Sequence, residues 1–205
     1  MRPVSDSQSI SPSERRVRAA LEESVRVKQA LLESCTAQIA RAGDAAADAL
    51  GGGNKALLFG NGGSASDALH IACEWVGRFV GERRALPAIA LGANPAELSS
   101  IANDYGYEHV FARGVEAHGQ AGDLAIALST SGNSPNVIAG IEAARARGLF
   151  TVALTGKGGG QLAGLADIAI RVPSDETPRI QEAHIAIGHA LCDVVDATLR
   201  GETDA

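Results

Sequence analysis

Two short stretches of this chain are rich in groups that hold anions, and two others set histidine beside a carboxylate or an amide. The first, Gly60-Asn61-Gly62-Gly63-Ser64-Ala65-Ser66-Asp67, follows an apolar run and opens a helical pattern. Glycine there lets backbone amides approach a ligand at the positive end of a helix. Its spacing matches neither the GxGxxG dinucleotide fingerprint nor a Walker loop ending in Lys-Ser/Thr. Read alone, the loop equally suits a simple chain reversal. The second is Ser129-Thr130-Ser131-Gly132-Asn133-Ser134-Pro135-Asn136. The hydroxyls of Ser129, Thr130, Ser131 and Ser134, with the turn amides, can neutralise a phosphate without Lys or Arg. A helix-capping role accounts for Ser134 before Pro135 but leaves the other three hydroxyls unused, so phosphate binding is the better reading.

His70 and Glu74 stand four residues apart on the helix that the first loop opens, hence on one face and within reach of a shared metal or substrate. An exposed surface pair is the alternative. Gln181, Glu182, His184 and His189 lie on a helix near the carboxyl end whose other positions, Ile180, Ile185, Ile187, Leu191 and Val195, are apolar. Polar groups on a mostly buried helix need partners. Gln181 and His189 are separated by about 12 Å of rise and roughly 80° of rotation, so one ion could join them only if they lean together. Periodicity does not choose between His184 and His189.

These groups need a scaffold, and the chain supplies one of alternating type. From Lys55 onward, apolar runs at Ala56 to Phe59, Ala88 to Leu91, Leu124 to Leu128, Phe150 to Leu154 and Ile168 to Val172 alternate with Gly/Ser/Asn loops and helical patterns. That is the signature of strand-loop-helix units in a parallel sheet, an α/β sandwich with ligands bound beyond the carboxyl ends of the strands. The final helix is predicted from Pro178 to Leu199. Before the sheet, Ser11, Pro12 and Ser13 form a helix start, and Val17, Leu21, Val25, Leu31 and Ile39 predict one or two amphipathic helices ended by Gly51, Gly52 and Gly53. Residues 1–11 read as a disordered tail, and 12–205 as a single domain, which suits the length of 205 residues.

Net charge is −6, so there is no broad basic field for nucleic acid, and an anionic ligand must be held locally. Aromatic residues make up only 3%, which disfavours an all-β core. Cys35, Cys73 and Cys192 are odd in number and lack a CxxC pair, so they are expected to be small buried residues of a reducing compartment rather than disulfides or zinc-knuckle ligands. The polar amino terminus and the lack of a long apolar run lead us to expect a cytoplasmic protein with no membrane partner.

In their order, FGNGGSASDALHIACEW, IANDYGYEHVFARGVEAHGQAGD, ALSTSGNSPNVIAGIEAARARG, ALTGKGGG and RIQEAHIAIGHALCD resemble the phosphoheptose isomerases of the sugar-isomerase (SIS) family from about Arg15 onward. The resemblance implies an SIS-type three-layer sandwich, a five-stranded parallel sheet flanked by helices, with an amino-terminal helical hairpin. It implies a zinc ion in each subunit held by His70, Glu74, Gln181 and His189, which selects His189 over His184. It places Asn61, Gly62, Gly63, Ser64, Glu74, Asn103, Asp104, Ser129, Thr130, Ser131, Ser134 and Gln181 around a sugar phosphate. Glu74 and His189 become the acid/base pair that isomerises sedoheptulose 7-phosphate to D-glycero-D-manno-heptose 7-phosphate through an enediol, in a homotetramer with sites between subunits. The chain departs from the family pattern at Leu69, Cys73, Trp75 and Gly92-Ala93-Asn94-Pro95. A non-enzymatic SIS protein binding a DNA-replication initiator, and an SIS isomerase of another sugar phosphate, are the alternatives.

Overall fold

The computed structural model describes residues 10–201. Most of the expected tail, residues 1–9, lies outside the described residues. Helix α1 spans Pro12–Gly51, followed by β1 (Ala56–Gly60), α2 (Gly63–Val76), β2 (Ala88–Ala90), α3 (Pro95–Tyr105) and α4 (Val110–His118). Then come β3 (Leu124–Ser129), α5 (Pro135–Ala146), β4 (Phe150–Thr155), the single turn α6 (Leu162–Leu165), β5 (Ile168–Arg171) and α7 (Thr177–Arg200). Every predicted strand is present, with ends differing by one residue or none.

The amino-terminal segment is one continuous helix, not the hairpin expected from the resemblance. A capping box starts it: the Ser11 hydroxyl accepts from the Glu14 amide, and the Glu14 carboxylate accepts from the Ser11 amide. No proline or turn pair interrupts it afterwards. The one interior glycine before the end, Gly43, serves packing, since a Cβ there would lie 2.7 Å from Val194 Cγ1 of α7.

The five strands are all parallel in the order β2-β1-β3-β4-β5. Their period-two alternation splits the core into two faces. Ala56, Leu58, Leu124, Ile126, Leu128, Val152 and Leu154 face α1, α2 and α7, whereas Leu57, Phe59, Ala125, Ala127 and Ala153 face α4, α5 and α6. Both faces are covered, so β1 and β3 read as unbroken apolar runs rather than alternating ones. After β1 the chain moves outward to β2, and from β3 it moves the other way to β4 and β5. The carboxyl ends of neighbouring β1 and β3 therefore diverge into loops on opposite sides of the sheet, the switch point where α/β folds open a crevice. Among the described residues no helix is long and apolar enough to cross a membrane.

Candidate active site

The crevice at the switch point is a cleft of about 310 Å³ lined by Asn61, Gly62, Gly63, Ser64, Leu128, Ser129, Thr130, Ser134, Thr177 and Gln181. Three helices begin at it: α2 after Gly62, α5 after Ser134 and α7 at Thr177. Each amino terminus carries roughly half a positive charge from unpaired amides. Among the described residues no Lys or Arg lines the cleft, so its affinity for an anion comes from helix ends and hydroxyls.

The two loops lock each other in place. Asn61 and Asn136 exchange amide hydrogen bonds of 2.9 Å in both directions, and Tyr107 donates its hydroxyl to Asn61 Oδ1 at 3.1 Å. The Asn61 side chain is thus spent on joining the β1 loop to α5. Ser129 and Ser134 hydroxyls meet at 3.1 Å, and the Gly132 amide donates to Ser129 Oγ at 3.2 Å. Ser131 turns its hydroxyl to the Asn133 amide and lies outside the cleft lining. The glycine-rich turn after β4 braces this loop, with Leu162 N donating to Gly132 O and Gln161 N to Asn133 Oδ1, each at 3.0 Å. Gly63 admits α7: a Cβ there would sit 2.4 Å from Gln181 Nε2.

Two to three turns further along α2, His70 and Glu74 meet His189 of α7. Glu74 Oε1 is 3.2 Å from His70 Nε2, which is 3.2 Å from His189 Nε2, and the three ligand atoms lie within 4.8 Å of one another. Donors on two corners of a tetrahedral zinc site, with bonds of about 2.0–2.1 Å, are about 3.3 Å apart, so the spacing and the N, N, O donor set fit that ion. The Phe79 ring packs on His189 at 5.4 Å between centroids. His184 has a different environment. It is fully buried, with Nε2 3.3 Å from the Thr155 carbonyl, and burial lowers its pKa to about 4, partly offset by that hydrogen bond.

Burial shifts two further ionisable groups near the cluster. Burial raises the Asp67 carboxyl to about 6, with His70 acting the other way. Cys192 is pushed up to about 12, first by burial and then by the carboxylates of Glu74 and Asp196. Cys35 is also buried, but Cys73 is exposed, against expectation, because it points away from the α2 face that packs on the sheet. Asn103 and Asp104 pair with each other on the exposed end of α3 and do not line the cleft. The departure at Gly92 to Pro95 forms the start of α3, where Asn94 Oδ1 accepts from Ala96 N and Pro95 takes a first-turn position. Thr177 was missed by sequence reasoning. Its signal was its place before Pro178, at the start of the last helix.

A sequence profile of the SIS domain matches residues 21–156. The phosphoheptose isomerase of Rhodospirillum rubrum is 50% identical over 168 residues, covering 82% of this chain and 89% of that protein. The chain belongs to the phosphoheptose isomerase group of the SIS family. Solved structures agree. The phosphoheptose isomerase of Neisseria gonorrhoeae superposes with a TM-score of 0.85 at 41% identity, over 89% of this chain and 98% of that one. That of Francisella tularensis gives 0.87 at 36% identity, over 91% and 99%. As a member of this group the chain is a sugar-phosphate isomerase, which sets aside the non-enzymatic reading.

Proposed function

We propose that the protein interconverts sedoheptulose 7-phosphate and D-glycero-D-manno-heptose 7-phosphate. The observation that carries this reading is the pairing of a lysine-free anion cleft with the His70, Glu74 and His189 cluster on the helices that border it. The phosphate is held by the amides of Gly62 and Gly63 and the hydroxyls of Ser64, Ser129, Thr130 and Ser134, with Asn61 and Ser131 shaping the two loops. Gln181 reaches the substrate from α7.

Isomerisation of the ketose to the aldose moves one proton from C1 to C2 and one from O1 to O2, through an enediol. Glu74 takes the carbon-bound proton from C1 and returns it to C2, and His189 exchanges the oxygen-bound proton, a division suited to a carboxylate base and an imidazole acid. Glu74 has two oxygens for its tasks: Oε1 faces His70, leaving Oε2 for the substrate. His70, Glu74, Gln181 and His189 would hold zinc. Bound there, the ion supplies Lewis-acid polarisation of the substrate carbonyl.

We also read residues 12–205 as one SIS unit that assembles as a cytoplasmic homotetramer with its sites between subunits. Val17, Leu21, Val25 and Leu32 form an exposed apolar stripe along α1 that supports such an assembly. Asn103 and Asp104, exposed and outside their own chain's cleft, are free to complete a neighbour's site. The test is incubation of the purified protein with sedoheptulose 7-phosphate, with and without chelator. Aldoheptose phosphate formed by the zinc-loaded protein and lost on chelation is expected. No conversion by the zinc-loaded protein would sink the assignment of substrate.

A further inference from the structure

The reacting side chains sit on two helices, so their mutual geometry is only as good as the packing of α2 against α7. Near the cleft that packing is fixed by close approach, Gly63 to Gln181 and Gly188 to Ile71, where a Cβ on Gly188 would lie 2.5 Å from Ile71 Cδ1. Glu74, however, is in the last turn of α2, where carbonyls have no partners within the helix and ends fray.

That turn is held by Arg83, from the segment leading back to β2. Its Nη2 donates to the carbonyl of Glu74 itself at 2.7 Å, and its Nη1 to those of Trp75 at 2.9 Å, Arg84 at 3.0 Å and Gly77 at 3.4 Å. The remaining donor, Nε, meets Asp196 Oδ1 of α7 at 2.6 Å. Both side chains are nearly sealed from solvent, at 4% and 1% exposure. Asp196 lies seven residues beyond His189, about 10.5 Å along the axis and within roughly 20° of the same face. One guanidinium therefore joins the backbone of Glu74 to the helix face that carries His189.

Beyond the carbonyls that Arg83 caps, the ion pair itself is poorly designed for stability. Among the described residues Asp196 Oδ2 is buried without a hydrogen-bond partner. A buried ion pair with an unpaired oxygen is commonly no better than apolar side chains of similar volume. We infer that Arg83 and Asp196 are positioning residues, a buried clamp that sets Glu74 against His189 and thereby sets the affinity of the cluster for metal and the rate of proton transfer. The inference rests on the assignment of Glu74 and His189 made above.

The test compares the parent with Asp196→Asn, Arg83→Lys and the double variant Arg83→Met/Asp196→Leu. Four quantities are read: zinc affinity by competition with a chromogenic chelator, the absorption spectrum of bound Co²⁺, kcat and KM with sedoheptulose 7-phosphate, and the unfolding midpoint. Asp196→Asn should weaken zinc binding about 10- to 100-fold and lower kcat by a similar factor, with KM within about twofold. Arg83→Lys should recover only part of this, because a point charge cannot reproduce the fork. The double variant, which leaves no unpaired buried charge, should have an unfolding midpoint no lower than that of Asp196→Asn while zinc affinity, Co²⁺ spectrum and kcat stay impaired. A double variant with the parent's zinc affinity and kcat would overturn the clamp. Should it not fold, the isosteric Asp196→Asn decides by the same readouts, and parental values there overturn it equally. A parent that binds no zinc, with turnover indifferent to chelator, would instead overturn the metal assignment, and the kcat comparison would still judge the clamp.

Discussion

The cleft at the strand ends is made mainly of backbone amides and hydroxyls from consecutive residues of two loops, with Thr177 and Gln181 of α7 closing one side. The cluster beside it is three side chains from two helices, with His70 and His189 separated by 119 positions in sequence. In the cleft, binding geometry is nearly built once the strands pair, because β1 and β3 are direct neighbours and each feeds straight into its loop. In the cluster, geometry depends on how α2 and α7 pack and on what holds their far ends. The first is a property of local chain conformation and the second of tertiary structure. Substitutions should therefore divide: changes in the cleft weaken binding, and changes in the cluster slow chemistry.

The largest expected effect is on the cluster. Glu74→Gln should lower kcat by about 10²- to 10⁴-fold with KM within a few-fold, measured by steady-state turnover of sedoheptulose 7-phosphate. A Gln variant with full turnover would erase the chemical half of the contrast. Next comes a contrast between two histidines of one helix. His184, buried neutral with its pKa lowered to about 4, binds a proton in the unfolded chain below about pH 6.5 but not in the folded one. Stability should thus be intact above pH 6.5 and fall by on the order of 3 kcal/mol as pH drops towards 4. Urea midpoints across that range check it, and His184→Gln should flatten the decline. An unchanged slope in that variant would show that other groups govern acid sensitivity.

For the cleft, Ser129→Ala combined with Ser134→Ala should raise KM about 10- to 100-fold, as expected for loss of a hydrogen bond to a charged group, and leave kcat within about threefold. A fall in kcat with KM intact would dissolve the division between the regions. The smallest effect belongs to Thr177→Val at the first turn of α7, where a rise in KM of about two- to fivefold is expected, because the helix end persists when the hydroxyl is lost.

The same contrast explains what was legible in the sequence. Apolar runs bounded by Gly, Ser and Asn placed all five strands, most clearly β1 and β3, which are buried on both faces and read as unbroken runs. The loops carrying Gly62 and Ser129 announced themselves by composition, whereas Ser131, inside the same motif, turned out to cap Asn133 rather than line the cleft. Periodicity could not separate His184 from His189, because both lie on a helix whose partners are distant in sequence. Where a hairpin was expected before the sheet there is one continuous helix, and its interior glycine, Gly43, answers to packing on Val194 and not to a break. Arg83 and Asp196 gave no motif at all. An aspartate between Val195 and Ala197 on an otherwise buried stretch was the one trace of them, and its partner is 113 residues away.

That no Lys or Arg lines the cleft among the described residues has a consequence for how substrate arrives. A sugar-phosphate dianion approaching a chain of net charge −6 gains no attraction from the overall charge. Partial charges at helix ends fall off within about a turn, well inside the screening length of roughly 8 Å at physiological ionic strength. Encounter therefore owes nothing to net charge, and capture is decided after contact, when hydration of the phosphate is exchanged for amides already in position. Added salt should leave kcat/KM flat or raise it slightly, by screening repulsion, where a lysine-lined pocket would lose substrate.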